Sequence, residues 1–282
     1  MKQSDVSEFP NHASIDRPAK SSRSLKLHPA LLNADQPGGV IDAPMRLLHR
    51  AGDSFVSFCR ERDGKWEKLF SIPVGELAEM FPTVQHHLAA DSYFSINGFW
   101  RGERWRSRVD PRFPAAAQAT FMLRYLNACF VDIDCYTAGL NDTEVLVEIL
   151  RMQDAGTIPP ASLISRSGRG VWLFWILDDA KTPDQPPRAF QEKLLPYHAV
   201  QRELAKLVAR LGVDAGAGDA TRVTRVPGSV NTKAPGKRVK YWTQYDESGR
   251  VFAYTLPELQ SLLGVVIKRT KKVESELSDI DD

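Results

Sequence analysis

Two aspartates stand two residues apart in the apolar run Ala128-Cys-Phe-Val-Asp-Ile-Asp-Cys-Tyr-Thr137. If the run is a strand, residues i and i+2 share a face. Asp132 and Asp134 then project the same way, roughly 6.6 Å apart, while Val131, Ile133 and Cys135 face the other way. At an effective dielectric near 20 two such charges repel by about 2.5 kcal/mol, before any cost of desolvation. A divalent cation removes that cost, and an all-oxygen pair suits Mg²⁺ or Mn²⁺ without thiolate or imidazole. A pair of this kind also arises when one Asp caps a turn and the other meets an arginine, so the neighbours must decide. Three chemistries use such a strand. A haloacid-dehalogenase-type phosphatase needs Thr or Val at the fifth position, where Tyr136 stands with Thr137 one residue too late. A glycosyltransferase DxD calls for a larger nucleotide-sugar domain. Nucleotidyl transfer uses two metals about 3.5–4 Å apart to clamp attacking and leaving oxygens, and it requires a third acid from elsewhere.

Two further segments could bind anions. In Ser165-Arg-Ser-Gly-Arg-Gly-Val-Trp172 the glycines Gly168 and Gly170 let backbone N–H groups approach a phosphate, and Ser167 and Arg169 add donors at the same point. From Ala220 to Tyr245 there is no acidic residue, while Arg222, Arg225, Lys233, Lys237, Arg238 and Lys240 supply six positive charges. Pro227-Gly228 breaks that stretch, which puts Ser229, Asn231 and Lys233 on a loop. Asp214 and Asp219 lie just upstream, and either could return as the third acid. Phe99 to Arg112 interleaves Arg101, Arg104, Arg106, Arg108 and Arg112 with Phe99, Trp100 and Trp105. Arginines neutralise phosphates and aromatic faces stack bases, so this stretch could contact single-stranded template.

The elements that must position these residues follow from the pattern. A hairpin around Asp63-Gly64 joins Ser54–Cys59 to Trp66–Ile72, and Asp91–Phe99 adds a strand. Helical spacing over Pro114–Leu126 predicts a helix with Phe121, Leu123 and Leu126 on its buried face. Then come strand 128–136, helix 142–154, strand 161–166, strand 171–177, helix 188–211 and a strand beginning near Arg222. That order is β-α-β-β-α-β, the split βαβ or RRM-like plan of an α+β fold. A second hairpin, Val239–Tyr245 with Val251–Tyr254, and a short helix, Leu256–Leu263, complete it. Residues 1–42 and 267–282 read as mobile, charged or polar tails around a folded region, 43–266.

Composition narrows the classes. The 282 residues carry a formal net charge of +2, so any anion-binding surface is local. No apolar run approaches a membrane span, and the polar start carries no secretory signal, which makes the cytoplasm the expected location. Cys59, Cys129 and Cys135 form no metal-binding spacing. There is no P-loop, so any unwinding by a helicase must come from another chain, and no helix-turn-helix signal for reading duplex sequence.

In order and spacing, "FVDIDCY", "SRSGRGVWLFW" and "DATRVTRVPGSVNTK" resemble the archaeo-eukaryotic primase superfamily, particularly its primase-polymerase-like members on plasmids, phages and integrated elements. The resemblance covers roughly Ser92 to Tyr254. Asp132 and Asp134 match the first motif. Ser167, Gly168 and Gly170 match the second. Arg222, Arg225, Pro227, Gly228, Asn231 and Lys233 match a basic run that follows the third acid. The resemblance implies an RRM-like catalytic core packed against an N-terminal α/β portion. It implies a DNA primase or DNA polymerase that adds NTP or dNTP on single-stranded DNA template with magnesium or manganese. On this reading Asp219 is the first choice for the third acid and Asp214 the second. Ser165, Ser167, Gly168, Arg169, Gly170, Trp172, Arg222, Arg225, Asn231 and Lys233 would bind nucleotide, and Arg101, Arg104, Trp105, Arg106, Lys237 and Arg238 would bind DNA. One departure stands out: Trp172 occupies the place of the family's second-motif histidine. Indole carries no charge, so phosphate contact must come from Arg169, Arg222, Arg225 or Lys233. A relative that keeps the acids but acts as a DNA-binding replication initiator is the competing reading.

Overall fold

The computed structural model describes residues 43–234 and 236–267. The expected tails, 1–42 and, apart from Ile267, 267–282, lie outside the described residues. Two sheets, antiparallel but for one short parallel pairing in the second, and the helices packed on them make an α+β architecture, as the sequence predicts.

The first sheet grows from a hairpin of β1, Phe55–Arg62, and β2, Lys65–Pro73. Asp63 and Gly64 both take positive φ, 52° and 73°, the backbone a two-residue turn requires to follow the strand twist. The far ends of the two strands are buried, with Val56, Phe58, Leu69, Phe70 and Ile72 in the core. The near ends are open, and there Glu61 pairs with Trp66. On its other edge β1 pairs with β3, Ser92–Ser95, and β4, Gly98–Phe99. The expected strand 91–99 is therefore broken at Ile96-Asn97. The short helices α1, Ala43–Leu48, and α2, Leu77–Val84, supply Met45, Leu48, Leu77, Phe81 and Val84 to the same core.

The predicted helix over 114–126 does not form. Its residues hold a 3₁₀ turn at Thr120–Met122 and the strand β5, Leu123–Tyr125, and Phe121 is 88% exposed rather than buried. The cause lies in β1 and β2. The buried hydroxyls of Ser57 and Ser71 both accept from the Ala117 N–H, which fixes the backbone extended along the sheet.

The second sheet contains β6, Ala128–Ile133, and β8, Val171–Leu177, followed by β7, Leu163–Arg166, and β10, Lys240–Thr243, with β11, Ala253–Tyr254, parallel to the end of β8. All seven residues of β8 are buried, as both faces are covered. α3, Asp142–Asp154, starts at a capping box of Asn141 and Glu144, and α5, Leu256–Leu263, at one of Thr255 and Glu258. α4, Gln191–Leu207, lies along β6. There the Tyr197 hydroxyl donates to the Ala128 carbonyl, and Gln201 Oε1 accepts from the Phe130 N–H. β10 and β11 are not the expected continuous hairpin. They join different strands, and between their ends Tyr245 bridges Val251, the Phe252 N–H donates to the Gln244 carbonyl and the Asp246 N–H to the Arg250 carbonyl.

The strand near Arg222 requires a correction. β9, Val223–Arg225, belongs to the first sheet, where it pairs with β3. The edge of β6 is already occupied by the chain emerging from α4. The Asp134 N–H donates to the Gly212 carbonyl at 2.8 Å and the Asp214 N–H to the Asp132 carbonyl at 2.9 Å. Gly212 makes the approach possible: its φ is 92°, and a Cβ there would meet the Asp134 carbonyl oxygen at 2.6 Å. Buried amides tie the sheets together. Asn97 donates to the Tyr197 hydroxyl and the Ala220 carbonyl and accepts from the Asn127 N–H. His49 Nε2 meets the Ser95 carbonyl and Nδ1 the Asn127 amide, an arrangement for a neutral ring, and burial pushes its pKa down to about 4. Among the described residues no helix is long and apolar enough to cross a membrane.

Candidate active site

β6 ends at Ile133, earlier than the predicted 136, and Asp134 opens a 3₁₀ turn over Cys135–Ala138. Both acids nevertheless face one cleft of about 270 Å³, which lies where β6 and the turn between β7 and β8 meet β9 and the β1–β2 hairpin. Asp132 is paired with Trp172 on β8, and its side chain is only 14% exposed. Burial first, and then the charge of Asp134, push its carboxyl up to about 8, against the opposing pull of Arg222. The Arg222 guanidinium stands 3.9 Å from Asp132 and 2.7 Å from Asp214.

Asp214, held beside Asp132 by the 212–214 edge pairing, is therefore the third acid in the cleft. Asp219, the first choice from sequence, is not. Its exposed carboxylate accepts from the Thr221 N–H and hydroxyl, closing a local turn, and it does not line the cleft. Among the described residues no three His, Cys, Asp or Glu side chains already converge on one point as metal ligands. The donor set fits a hard dication all the same. The ligands would be oxygens, and the Asp132 carboxyl, under-compensated by an arginine 3.9 Å away, gains from a cation on its open side.

The glycine turn is built against these acids. A Cβ on Gly170 would meet the Ile133 carbonyl oxygen at 2.7 Å. Gly168 has φ of 85°, and a Cβ there would collide with the stem of Lys237 at 2.6 Å. Ser167, Arg169, Gly170 and Trp172 line the cleft with Arg222, Arg225, Asn231 and Lys233. The Asn231 amide donates to the Ser167 carbonyl at 2.8 Å, locking the basic loop to the glycine turn. The cations have carboxylate partners: Arg225 pairs with Asp91 at 2.9 Å and Lys233 with Glu61 at 2.6 Å. Arg169 instead lies over the Tyr136 ring, 4.3 Å from its centroid.

Other expected residues sit elsewhere. Ser165 is buried on β7 opposite Trp172 and does not reach the cleft. Trp172 is 8% exposed and stacks between Phe130 and Phe174, each 5.8 Å away, so it packs the sheet while its edge borders the cleft. Arg101, Arg104, Trp105 and Arg106 lie on an exposed loop outside the cleft, bound along β2, where the Ser71 N–H donates to the Pro114 carbonyl. Lys237 and Arg238 are exposed beside the glycine turn, with Arg238 donating to the Gly228 carbonyl. Sequence reasoning missed Trp66, Tyr93 and Tyr136, all of which line the cleft. An isolated tryptophan at the polar end of a predicted hairpin was the available signal.

No family model matches the chain. It is 33% identical over 140 residues to a protein named "Replication protein" from Clostridium perfringens, a match that takes in 49% of this chain and 30% of that relative. The chain thus spans less than a third of the relative's length. Two solved structures are similar in shape, both at 14% identity and over 86% of this chain. One is primase RepB′, with a TM-score of 0.42 over 65% of that structure. The other is the catalytic domain of primase RepB′ in complex with initiator DNA, with a TM-score of 0.43 over 98% of it.

Proposed function

We propose that this chain is a primase or primase-polymerase serving replication of a plasmid, phage or integrated element, and that residues 43–266 form its catalytic domain. On this reading β6–β8 with α3 and α4 are the RRM-like core, with the 212–214 segment in place of a fourth strand, and the first sheet is the N-terminal portion. The observation that carries the proposal is the meeting of Asp132, Asp134 and Asp214 with the 167–170 turn and the 222–233 run in one cleft.

Asp132, Asp134 and Asp214 would hold Mg²⁺ or Mn²⁺, which when bound supplies charge to activate a primer hydroxyl and stabilise departing pyrophosphate. The chain's own part is placement. Gly168 and Gly170 let the turn close on Lys237 and Ile133, which brings Ser167 and Arg169 to the cleft, and Arg169, Arg222, Arg225 and Lys233 supply positive charge around a phosphate. Binding a polyphosphate exchanges the carboxylates of Asp214, Asp91 and Glu61 for phosphate oxygens on those same cations. The template would be single-stranded DNA, with Arg101, Arg104, Trp105, Arg106, Lys237 and Arg238 as outer contacts, and base choice would come from pairing.

A second reading, a catalytically weak initiator that binds DNA, is favoured by one feature: Arg222, Arg225 and Lys233 are already neutralised, and Trp172 brings no charge. Nucleotide incorporation on a single-stranded template, with and without a primer and with Mn²⁺ or Mg²⁺, separates the two. Products that vanish in Asp132→Ala/Asp134→Ala support the polymerase. Inactivity with tight binding to one duplex supports the initiator.

A further inference from the structure

The cleft has an aromatic wall that neither the acids nor the cations explain. Trp66 projects from β2 at the open end of the first hairpin, lines the cleft and is 56% exposed. Its ring sits 4.8 Å from that of Tyr93, at an interplanar angle of 59°. Tyr93 is nearly buried and is fixed from two sides: its hydroxyl donates to Glu61 at 3.3 Å, and the Arg225 guanidinium lies 4.8 Å from its ring centroid. Trp66 is thus a large indole held against a rigid support, with most of its surface left to solvent beside a cleft lined by both carboxylates and cations. An ordinary hairpin tryptophan buries its ring across the strand pair. This one stands outside the main hydrophobic cluster, against Tyr93.

We propose that Trp66, backed by Tyr93, is a stacking platform for a nucleobase whose phosphates lie in the cleft. Stacking on a flat indole is indifferent to base identity, which is what an enzyme leaving base choice to template pairing requires. The inference rests on the function proposed above and adds to it the element that recognises the base. Two sources of the base share this chemistry, a free nucleoside triphosphate and the end of a DNA strand.

The test is calorimetric binding to the full chain with Mn²⁺ present, for the wild type, Trp66→Ala and Trp66→Phe, using three probes: guanosine triphosphate, inorganic tripolyphosphate and a short oligothymidylate. The expected result is that Trp66→Ala weakens a base-bearing probe about ten-fold or more, that Trp66→Phe recovers much of the loss, and that tripolyphosphate binding is unchanged. Loss confined to the triphosphate assigns the base to the free nucleotide, and loss confined to the oligonucleotide assigns it to the strand. Equal loss for tripolyphosphate would make Trp66 a structural residue and overturn the proposal, as would unchanged binding of all three probes. Wild-type protein that binds neither triphosphate nor oligonucleotide would overturn the proposed function itself, a result distinct from either.

Discussion

Replacing Asp132 by Asn should stabilise the metal-free protein, and more so at pH 8 than at pH 5. The native carboxyl has its pKa raised to about 8, against 3.8 when unperturbed. Between those values the folded state binds more protons than the unfolded state, so stability falls as pH rises from about 4 to about 8 and levels off above. The full difference of about four units corresponds to roughly 5 kcal/mol at pH 8 and under about 2 kcal/mol at pH 5. Local relaxation and water entry reduce such energies, and about 2–3 kcal/mol is the working expectation at pH 8. Asn keeps the shape of Asp and removes the charge. For a domain of this size the gain should raise Tm by about 5–10 °C at pH 8 and by about a third of that at pH 5. The assay is thermal unfolding followed by circular dichroism in chelator at both pH values, then repeated with Mn²⁺. Added Mn²⁺ should stabilise the wild type and leave Asp132→Asn unmoved, narrowing or reversing their order. A variant less stable than wild type at pH 8 in chelator, or a difference that does not shrink toward pH 5, would refute the claim that Asp132 is an under-compensated buried acid.

Two further substitutions probe the scaffold. Gly170→Ala places a methyl 2.7 Å from the Ile133 carbonyl, between two strands that cannot both move, and should cost about 1–3 kcal/mol in urea denaturation, with loss of nucleotide binding as the turn shifts from the acids. Asn97→Ala removes four buried hydrogen bonds and leaves the Asn127 N–H and the Ala220 carbonyl short of partners, so about 3 kcal/mol should be lost in the same measurement.

Elements specified by their own residues were legible. α3 and α5 begin where Asn141 with Glu144 and Thr255 with Glu258 close capping boxes, and their ends match the sequence reading. β8 was visible as a continuous apolar run, and the first hairpin as an Asp-Gly turn. What failed depended on distant partners. The 114–126 stretch has helical spacing, but hydroxyls about 45 to 60 residues earlier in the chain capture its backbone. β9 looked like the last strand of the second sheet, yet the edge it needed is filled by residues 212–214, whose Gly212 gives no periodic signal. The choice between Asp214 and Asp219 turned on the same edge. Both sit on a glycine-rich loop, and only pairing with β6 carries one of them into the cleft, while Thr221 keeps the other outside. Trp66 and Tyr93 carry only a strand signal in the sequence, because their place in the cleft depends on the first sheet standing against the second.

That distinction between the two loop acids also gives the most direct test of the account. Asp214→Ala and Asp219→Ala should be assayed side by side for nucleotide incorporation on a primed single-stranded template with Mn²⁺, with Asp132→Ala/Asp134→Ala as the inactive control. The structure places Asp214 beside Asp132 and leaves Asp219 outside, so Asp214→Ala should lose activity by about 100-fold or more, while Asp219→Ala stays within a few-fold of wild type. The reverse ranking, or full activity in Asp214→Ala, would contradict the site described here.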